Sequence, residues 1–291
     1  MKKRIGYGLG VRTPTIDGAR LGDLVDALED LRFDSLWLSE RLGGDCPDPM
    51  VGLAFAAARS RKLKLGTSVQ VLPGRNPFVV AKQWATLDRL SNGRCLPAFG
   101  LGVADAREQA AFGVERNERA ARFDDLLPKV RRLWNGEEVD GATVAPLPVQ
   151  TPLDVWLGGI APSELRRVGR LADGWLPSFC TPDDVAAARP VVEAEAAAHD
   201  RTFDPEHWGA LIPYLPTAGP LPDVLVAAVA ARRPEVDARR IVPAGLDAVG
   251  AMISEFVDAG ASKFVLVPVV EPEGWEAHLA DVAAVVRPLG T

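Results

Sequence analysis

Residues 63–103, LKLGTSVQVLPGRNPFVVAKQWATLDRLSNGRCLPAFGLGV, constrain the fold of this chain more than any other stretch. The run LKLGTSVQVL is short, apolar and rich in β-branched residues, and Pro73-Gly74 and Asn76-Pro77 stop it. PFVVAKQWATLDRL then places Val80, Trp84, Leu87 and Leu90 at helical spacing. Ser91-Asn92-Gly93 closes that helix with a C-terminal glycine. RCLPAFGLG opens a second strand that ends in Gly100-Leu101-Gly102. A buried strand feeding a helix and then another buried strand is a parallel βαβ unit. Ligands in such folds sit beyond the C-terminal ends of the strands.

The same alternation runs from end to end. Strands are expected at about Arg4–Gly10, Phe33–Ser39, Leu153–Gly159, Gly174–Ser178, Trp208–Leu215 and Lys263–Val269, besides the two in the segment above. Helices are expected at about Arg20–Leu31, Pro49–Ser60, Arg116–Trp134, Leu221–Arg232 and Gly274–Val286. Further helices start at Pro162-Ser163, at Thr181-Pro182-Asp183-Asp184 and near Leu246. Pro49–Ser60 is apolar nearly all round and is expected to be well buried. Residues 135–152 lose periodicity and carry Pro146, Pro148 and Pro152, so they read as an irregular excursion within one domain spanning 1–291. Eight strand segments separated by helices point to a single (β/α)8 barrel. The competing architecture is an open doubly wound sheet. Its dinucleotide form wants G-x-G-x-x-G after the first strand. Gly6, Gly8 and Gly10 instead share one face of a strand, which suits tight packing inside a barrel.

Composition narrows the function. With 291 residues, 47% of them hydrophobic, the chain can bury a large core. A net charge of −6, without a Lys/Arg run of the kind that attracts nucleic acid or anionic lipid, argues against either as partner. No apolar run reaches the length of a membrane span, and the apolar part of MKKRIGYGLGVRT is too short and glycine-rich for a signal peptide. A cytoplasmic location is therefore expected. Cys46, Cys95 and Cys180 form no CxxC pair, and His199, His207 and His278 show no HxH or HExxH spacing. Neither a disulfide framework nor a metal site is expected. Arg12, Arg41, Arg75 and Arg107 follow the first four strands, whereas Glu271 and Glu273 follow the last. One reading is a basic side of the barrel mouth that guides an anionic ligand. The other pairs these arginines with Asp17, Asp45, Asp48 and Asp105.

FDSLWLSE (33–40), LKLGTSVQVLPGRNPFVVAKQWATLDRLSNGR (63–94), FGLGVADAREQAAFGV (99–114), RFDDLLPKVRRLWNG (122–136), VWLGGIAPSELRRVGRLADGWLP (155–177) and DAGASKFVLVP (258–268) follow one another in this chain. In this order they resemble the luciferase-like monooxygenase superfamily, in the branch that uses the deazaflavin coenzyme F420. The resemblance covers nearly the whole chain and is more specific for the superfamily than for cofactor or substrate. It implies a bacterial-luciferase-like TIM barrel. It also implies a homodimer formed through the apolar helices at 51–58 and 78–84. The activity it implies is hydride transfer between F420 and a small organic substrate. An FMN-dependent monooxygenase on the same fold, and a flavin-binding paralogue without catalysis, are the alternatives.

The resemblance also assigns residues. Thr67, Ser68 and Val69 match a bulge behind the cofactor ring, with a cis peptide at Ser68–Val69. Gly100, Leu101 and Gly102 lie along the ring or its side chain, with Ala104 in place of the usual third glycine. Gly158, Gly159, Ile160 and Ala161 contribute to the cofactor phosphate site. Spacing alone leaves that stretch open between a ligand loop and a plain strand-to-helix turn. Asp105 stands where the sugar-phosphate dehydrogenase branch has a proton-donating acid; its rival reading is a helix cap. Glu40 matches a hydrogen-bonding acid at the ring edge. Arg41 replaces a histidine and cannot act as a neutral base. An ion pair between neighbouring loops is the rival reading for both.

Overall fold

The computed structural model describes residues 2–10 and 17–289. Chain order runs β1 (Arg4–Leu9), α1 (Gly18–Asp30), β2 (Ser35–Leu38), α2 (Pro49–Arg59), β3 (Lys64–Thr67), β4 (Gln70–Val71) and α3 (Pro77–Leu90). It continues through β5 (Cys95–Leu96), β6 (Ala98–Gly100), α4 (Ala106–Phe112), α5 (Arg119–Trp134), β7 (Trp156–Leu157), α6 (Pro162–Leu171) and β8 (Gly174–Trp175). The last part is α7 (Pro182–Ala197), β9 (Gly209–Tyr214), α8 (Asp223–Ala230), α9 (Leu246–Asp258), β10 (Lys263–Pro268) and α10 (Trp275–Val286).

Every strand pairing between these elements is parallel. One sheet runs β5-β3-β2-β1-β10-β9 and the other β4-β6-β7-β8. Two strand positions pass from one sheet to the other: β3 continues into β4 across Ser68–Val69, and β5 into β6 across Pro97. On the far side, parallel bridges Trp175–Trp208 and Ser178–Leu211 lie between the β8 and β9 positions. The chain thus has the α/β architecture expected from its alternating pattern, with eight strand positions.

Two apolar layers follow from the two faces of the strands. Tyr7, Leu9, Leu36, Leu38, Leu65 and Phe99 point outward and pack with the helices. Trp37, Leu96, Ala98, Trp156, Leu176, Val265 and Val267 form a separate inner cluster, with Val69 and Leu211 resting against it. Glycine makes room for the two inner tryptophans. A Cβ at Gly6 would lie 2.8 Å from the Trp37 indole nitrogen, one at Gly66 2.4 Å from the Trp37 ring, and one at Gly174 2.4 Å from the Trp156 ring. Gly8 and Gly10 likewise face Val265 and Val267. The glycine alternation therefore serves packing, as its spacing suggested. Lys263 starts β10 beneath this cluster. It is 2% exposed, donates to Asp34 Oδ2 at 2.7 Å, and lies 5.4 Å from the centroid of Trp37 and 5.8 Å from that of Trp156.

The helices outside start alike. Pro49, Pro77, Pro162 and Pro182 stand in first turns, where the missing N–H breaks no helical hydrogen bond. Asp17, Asp48, Asn76 and Thr181 cap with their side chains.

Several expectations need correction. The helix expected over 116–134 starts at Arg119, and a separate seven-residue helix, α4, precedes it. The strands expected at 153–159 and 174–178 shrink to two paired residues each, because the apolar run marks burial rather than ladder hydrogen bonds. The α2 helix is buried on one face only: Val51 is 70% exposed and Phe55 is also open. Residues 135–152 contain no helix or strand beyond a Val139–Ala142 bridge. Buried Asp88 holds their far end, accepting from Val149 N at 2.7 Å, Gln150 N at 2.9 Å and Gln150 Nε2 at 2.7 Å. Among the described residues, no helix is long and apolar enough to cross a membrane, and no group of three His, Cys, Asp or Glu could hold a metal ion.

Candidate functional site

The Ser68–Val69 peptide is cis, at the bond the resemblance named. Three hydrogen bonds tie the bulge to the end of β2. Ser68 N donates to Leu38 O at 2.8 Å, Glu40 N to Val69 O at 3.2 Å, and Ser39 Oγ to Ser68 O at 3.0 Å. Val69 rests on the inner cluster and is partly exposed. Its Cγ2 would lie 2.5 Å from a Cβ at Gly100, so the two strand ends touch here only because residue 100 has no side chain. Thr67 differs from expectation. It is fully buried, and its hydroxyl donates to Ala98 O at 2.6 Å and accepts from Ala98 N at 2.9 Å. It fastens β3 to the neighbouring strand position and supports the bulge from below.

Glu40 is buried at the end of β2, and both carboxylate oxygens are engaged. Oε2 accepts from Val71 N at 2.7 Å, and Oε1 pairs with Arg75. Arg75 Nε in turn donates to Val71 O at 2.7 Å. Burial pushes the Glu40 carboxyl up, against the pull of the Arg75 charge. Arg41 pairs with Glu108 of α4. Two of the four arginines proposed to make the mouth basic are thus neutralised, by Glu40 and Glu108 rather than by the aspartates named. Arg12 lies outside the described residues. Glu271, which follows β10, is paired with Arg20.

Beyond β6 the chain turns at Gly102, whose φ of +80° suits glycine. Arg119, 4% exposed, holds this turn: its Nη1 donates to Leu101 O at 2.9 Å and to Val103 O at 3.0 Å. Its Nε is buried without a hydrogen-bond partner. Sequence reading missed Arg119, because in ERNERAAR it is one charge among several exposed ones. Asp105 caps α4, accepting from Arg107 N at 2.8 Å and Glu108 N at 3.3 Å. Those two amides hold its carboxyl below the usual range. It is ionised at neutral pH, the state opposite to a proton donor's.

At the next strand position, Gly158 and Gly159 lie close to neighbouring backbone. A Cβ on Gly158 would lie 3.0 Å from Leu176 O, and Gly159 O accepts from Trp175 Nε1 at 2.9 Å. The amides that follow are not free for a phosphate. Ile160 N and Ala161 N donate to Glu164 Oε2 at 3.1 and 3.0 Å.

Together these loops form a floor of partly exposed, mostly apolar surface: Val69, Gly100, Leu101, Gly158, Gly159 and Ile160. Gly100, Gly158 and Gly159 add no side chains to it, and Val69, Leu101 and Ile160 make it apolar, a lining that suits an apolar ring. The start of α6 does not fit a phosphate with its amides so engaged.

A model of the luciferase-like monooxygenase family matches residues 5–218. The chain is 30% identical over 214 residues to the F420-dependent glucose-6-phosphate dehydrogenase of Nakamurella multipartita, a match over 65% of this chain and 62% of that protein. It spans about two thirds or less of the first curated relatives it matches. Its fold is that of the coenzyme F420-dependent tetrahydromethanopterin reductase of Methanopyrus kandleri, with TM-score 0.76, 20% identity and full coverage of both chains. A monooxygenase from Streptomyces bottropensis aligns with TM-score 0.76 at 21% identity, over 99% of this chain and 100% of that one.

Proposed function

The chain belongs to the luciferase-like monooxygenase family, and from that premise we propose that it is an oxidoreductase moving a hydride between coenzyme F420 and a small organic substrate. The observation that carries the reading is the packing of Val69 on a side-chain-free Gly100, which brings two neighbouring strand ends together under the apolar floor. The names of its curated relatives support the deazaflavin over other ring cofactors. When bound, that cofactor supplies the ring carbon that carries the hydride.

The chain's own residues hold and shape. In this reading the backbone of Ser68 and Val69 backs the ring, and Gly100, Leu101 and Gly102 let it approach. Glu40 and Thr67 keep the bulge in place from behind. Asp105 sets the position of α4, which through Glu108 orients Arg41. Neither acid is left free to donate a proton, so we assign proton exchange to the substrate side of the mouth.

We read the two sheets as one closed (β/α)8 barrel and residues 1–291 as one domain. A second copy is proposed to cover the apolar residues left open on α2 and α3, Val51, Phe55, Val79 and Leu90. A cytoplasmic enzyme with no nucleic-acid or membrane partner is the setting that fits these features.

Fluorescence titration with F420 and, in parallel, with FMN tests the reading. Tight F420 binding with weak FMN binding supports it. The reverse moves the protein to the FMN-dependent monooxygenases, and binding of neither assigns it to paralogues without a working site.

A further inference from the structure

The start of α6 is the one part of the floor that does not suit the expected ligand. A helix N-terminus favours an anion, because its amides point outward and the helix dipole is positive there. Here an anion is already in place and it belongs to the chain. The Glu164 carboxylate accepts from the amides of Ile160 and Ala161 through a single oxygen, Oε2. Pro162 offers no amide, those of Glu164 and Leu165 both donate to Ala161 O, and that of Ser163, alone in this first turn, has no hydrogen-bond partner among the described residues. Gly159 is shaped around the same group. It has φ +92°, and a Cβ there would lie 2.6 Å from Glu164 Cδ and Oε2. The Gly-Gly turn that the resemblance assigns to the cofactor phosphate is therefore a seat for a carboxylate in the structure.

We propose that Glu164 is an internal anion that sets selectivity at this site, competing with the phosphoryl group of a cofactor for the amides of Ile160 and Ala161. Affinity then comes from the ring, and the phosphoryl group adds little. This rests on the reading that a flavin or deazaflavin ring binds at the mouth. The competition has a definite sign. Removing the charge at 164 strengthens binding of phosphorylated ligands and leaves phosphate-free ring compounds unaffected.

The test compares wild type, Glu164→Gln and Glu164→Ala in fluorescence titrations with F420 and with its phosphate-free deazaflavin chromophore. Glutamine keeps a capping side chain at this helix position without the charge, whereas alanine removes both. In wild type the two ligands should bind within about threefold of each other, and Glu164→Ala should raise the preference for F420 about tenfold, the scale of one or two recovered charge-assisted hydrogen bonds. Glu164→Gln should move the same way by less. A strong wild-type preference for F420 that neither variant increases overturns the proposal. A second arm does not depend on the cofactor: inorganic phosphate should raise the unfolding temperature of Glu164→Ala more than that of wild type. Equal responses count against the proposal. If no ring compound binds any of the three proteins, the cofactor reading fails, and the phosphate arm alone then decides whether Glu164 withholds these amides.

Discussion

Lys263 shows what a single buried charge costs and gives in this fold. Burial pushes its ammonium down to about 8, against the pull of Asp34. Burial also works against ionisation of Asp34, yet the Lys263 and Lys64 charges beside it hold that carboxyl below its ordinary value. The pair is charged at neutral pH. Lys263→Met should destabilise the protein by about 3–5 kcal/mol in urea unfolding, because it leaves a half-buried carboxylate short of its main partner. The pH dependence has a definite direction. Since the folded value of Asp34 lies below the unfolded one, its contribution is complete above pH ~4 and is lost as pH falls through the folded value. Unfolding free energies from pH 6 to pH 3 should show that acid loss in wild type, and less of it in Lys263→Met. Asp105 makes a second residue-scale test. Asparagine caps a helix as well as aspartate does, whereas alanine costs about 1 kcal/mol. Asp105→Asn should keep both stability and turnover, and Asp105→Ala should lose about that much stability. A loss of turnover in Asp105→Asn would instead make the residue a proton carrier. Sequence could identify the residue types at the site but not their partners. Glu40's partners, the Val71 amide and Arg75, come from a segment that only folding brings near, whereas Asp105 is engaged by the amides just after it, so its helix-cap reading was already open in the sequence.

At the scale of elements, the strands and long helices were legible because burial imposes a period of 2 or 3.6 on the chain. The α4 helix was not. Its seven residues, AREQAAF, meet the rest of the protein through the Arg41–Glu108 pair and through Phe112 beneath Arg75, and leave no apolar stripe to read. The cis bond could be expected only from resemblance, since nothing in the chemistry of Ser-Val announces it. Its setting is testable as a packing problem. Gly100→Ala should force Val69 aside and cost about 1–3 kcal/mol in urea unfolding, the usual range for overpacking. The same variant should weaken ring binding in the fluorescence titration, because Val69 belongs to the floor.

The whole molecule leaves a different question on its outside. Val51 and Phe55 of α2 and Val79 and Leu90 of α3 are open, and Leu147 and Val149 of the 135–152 excursion are open as well. The excursion reaches α3 through Lys82 and Arg89, which donate to Ala145 O and Leu147 O. If a second copy covers this side, the protein should run at twice its monomer mass in light scattering, and a Val51→Asp, Val79→Asp double variant should run as a monomer with its ring affinity kept. A monomeric wild type would remove the dimer.

Asp88 gives the excursion a property its composition hides. Residues 135–152 look like the segment a protease would cut first, irregular and on the surface. Cleavage, however, needs a stretch of backbone to leave its place and lie extended in the enzyme's cleft. One buried carboxylate grips two backbone amides and a side chain at 149–150. Thermolysin should therefore spare this segment in wild type and nick it in Asp88→Ala, so that what reads as the chain's weakest stretch is guarded by the helix it lies against.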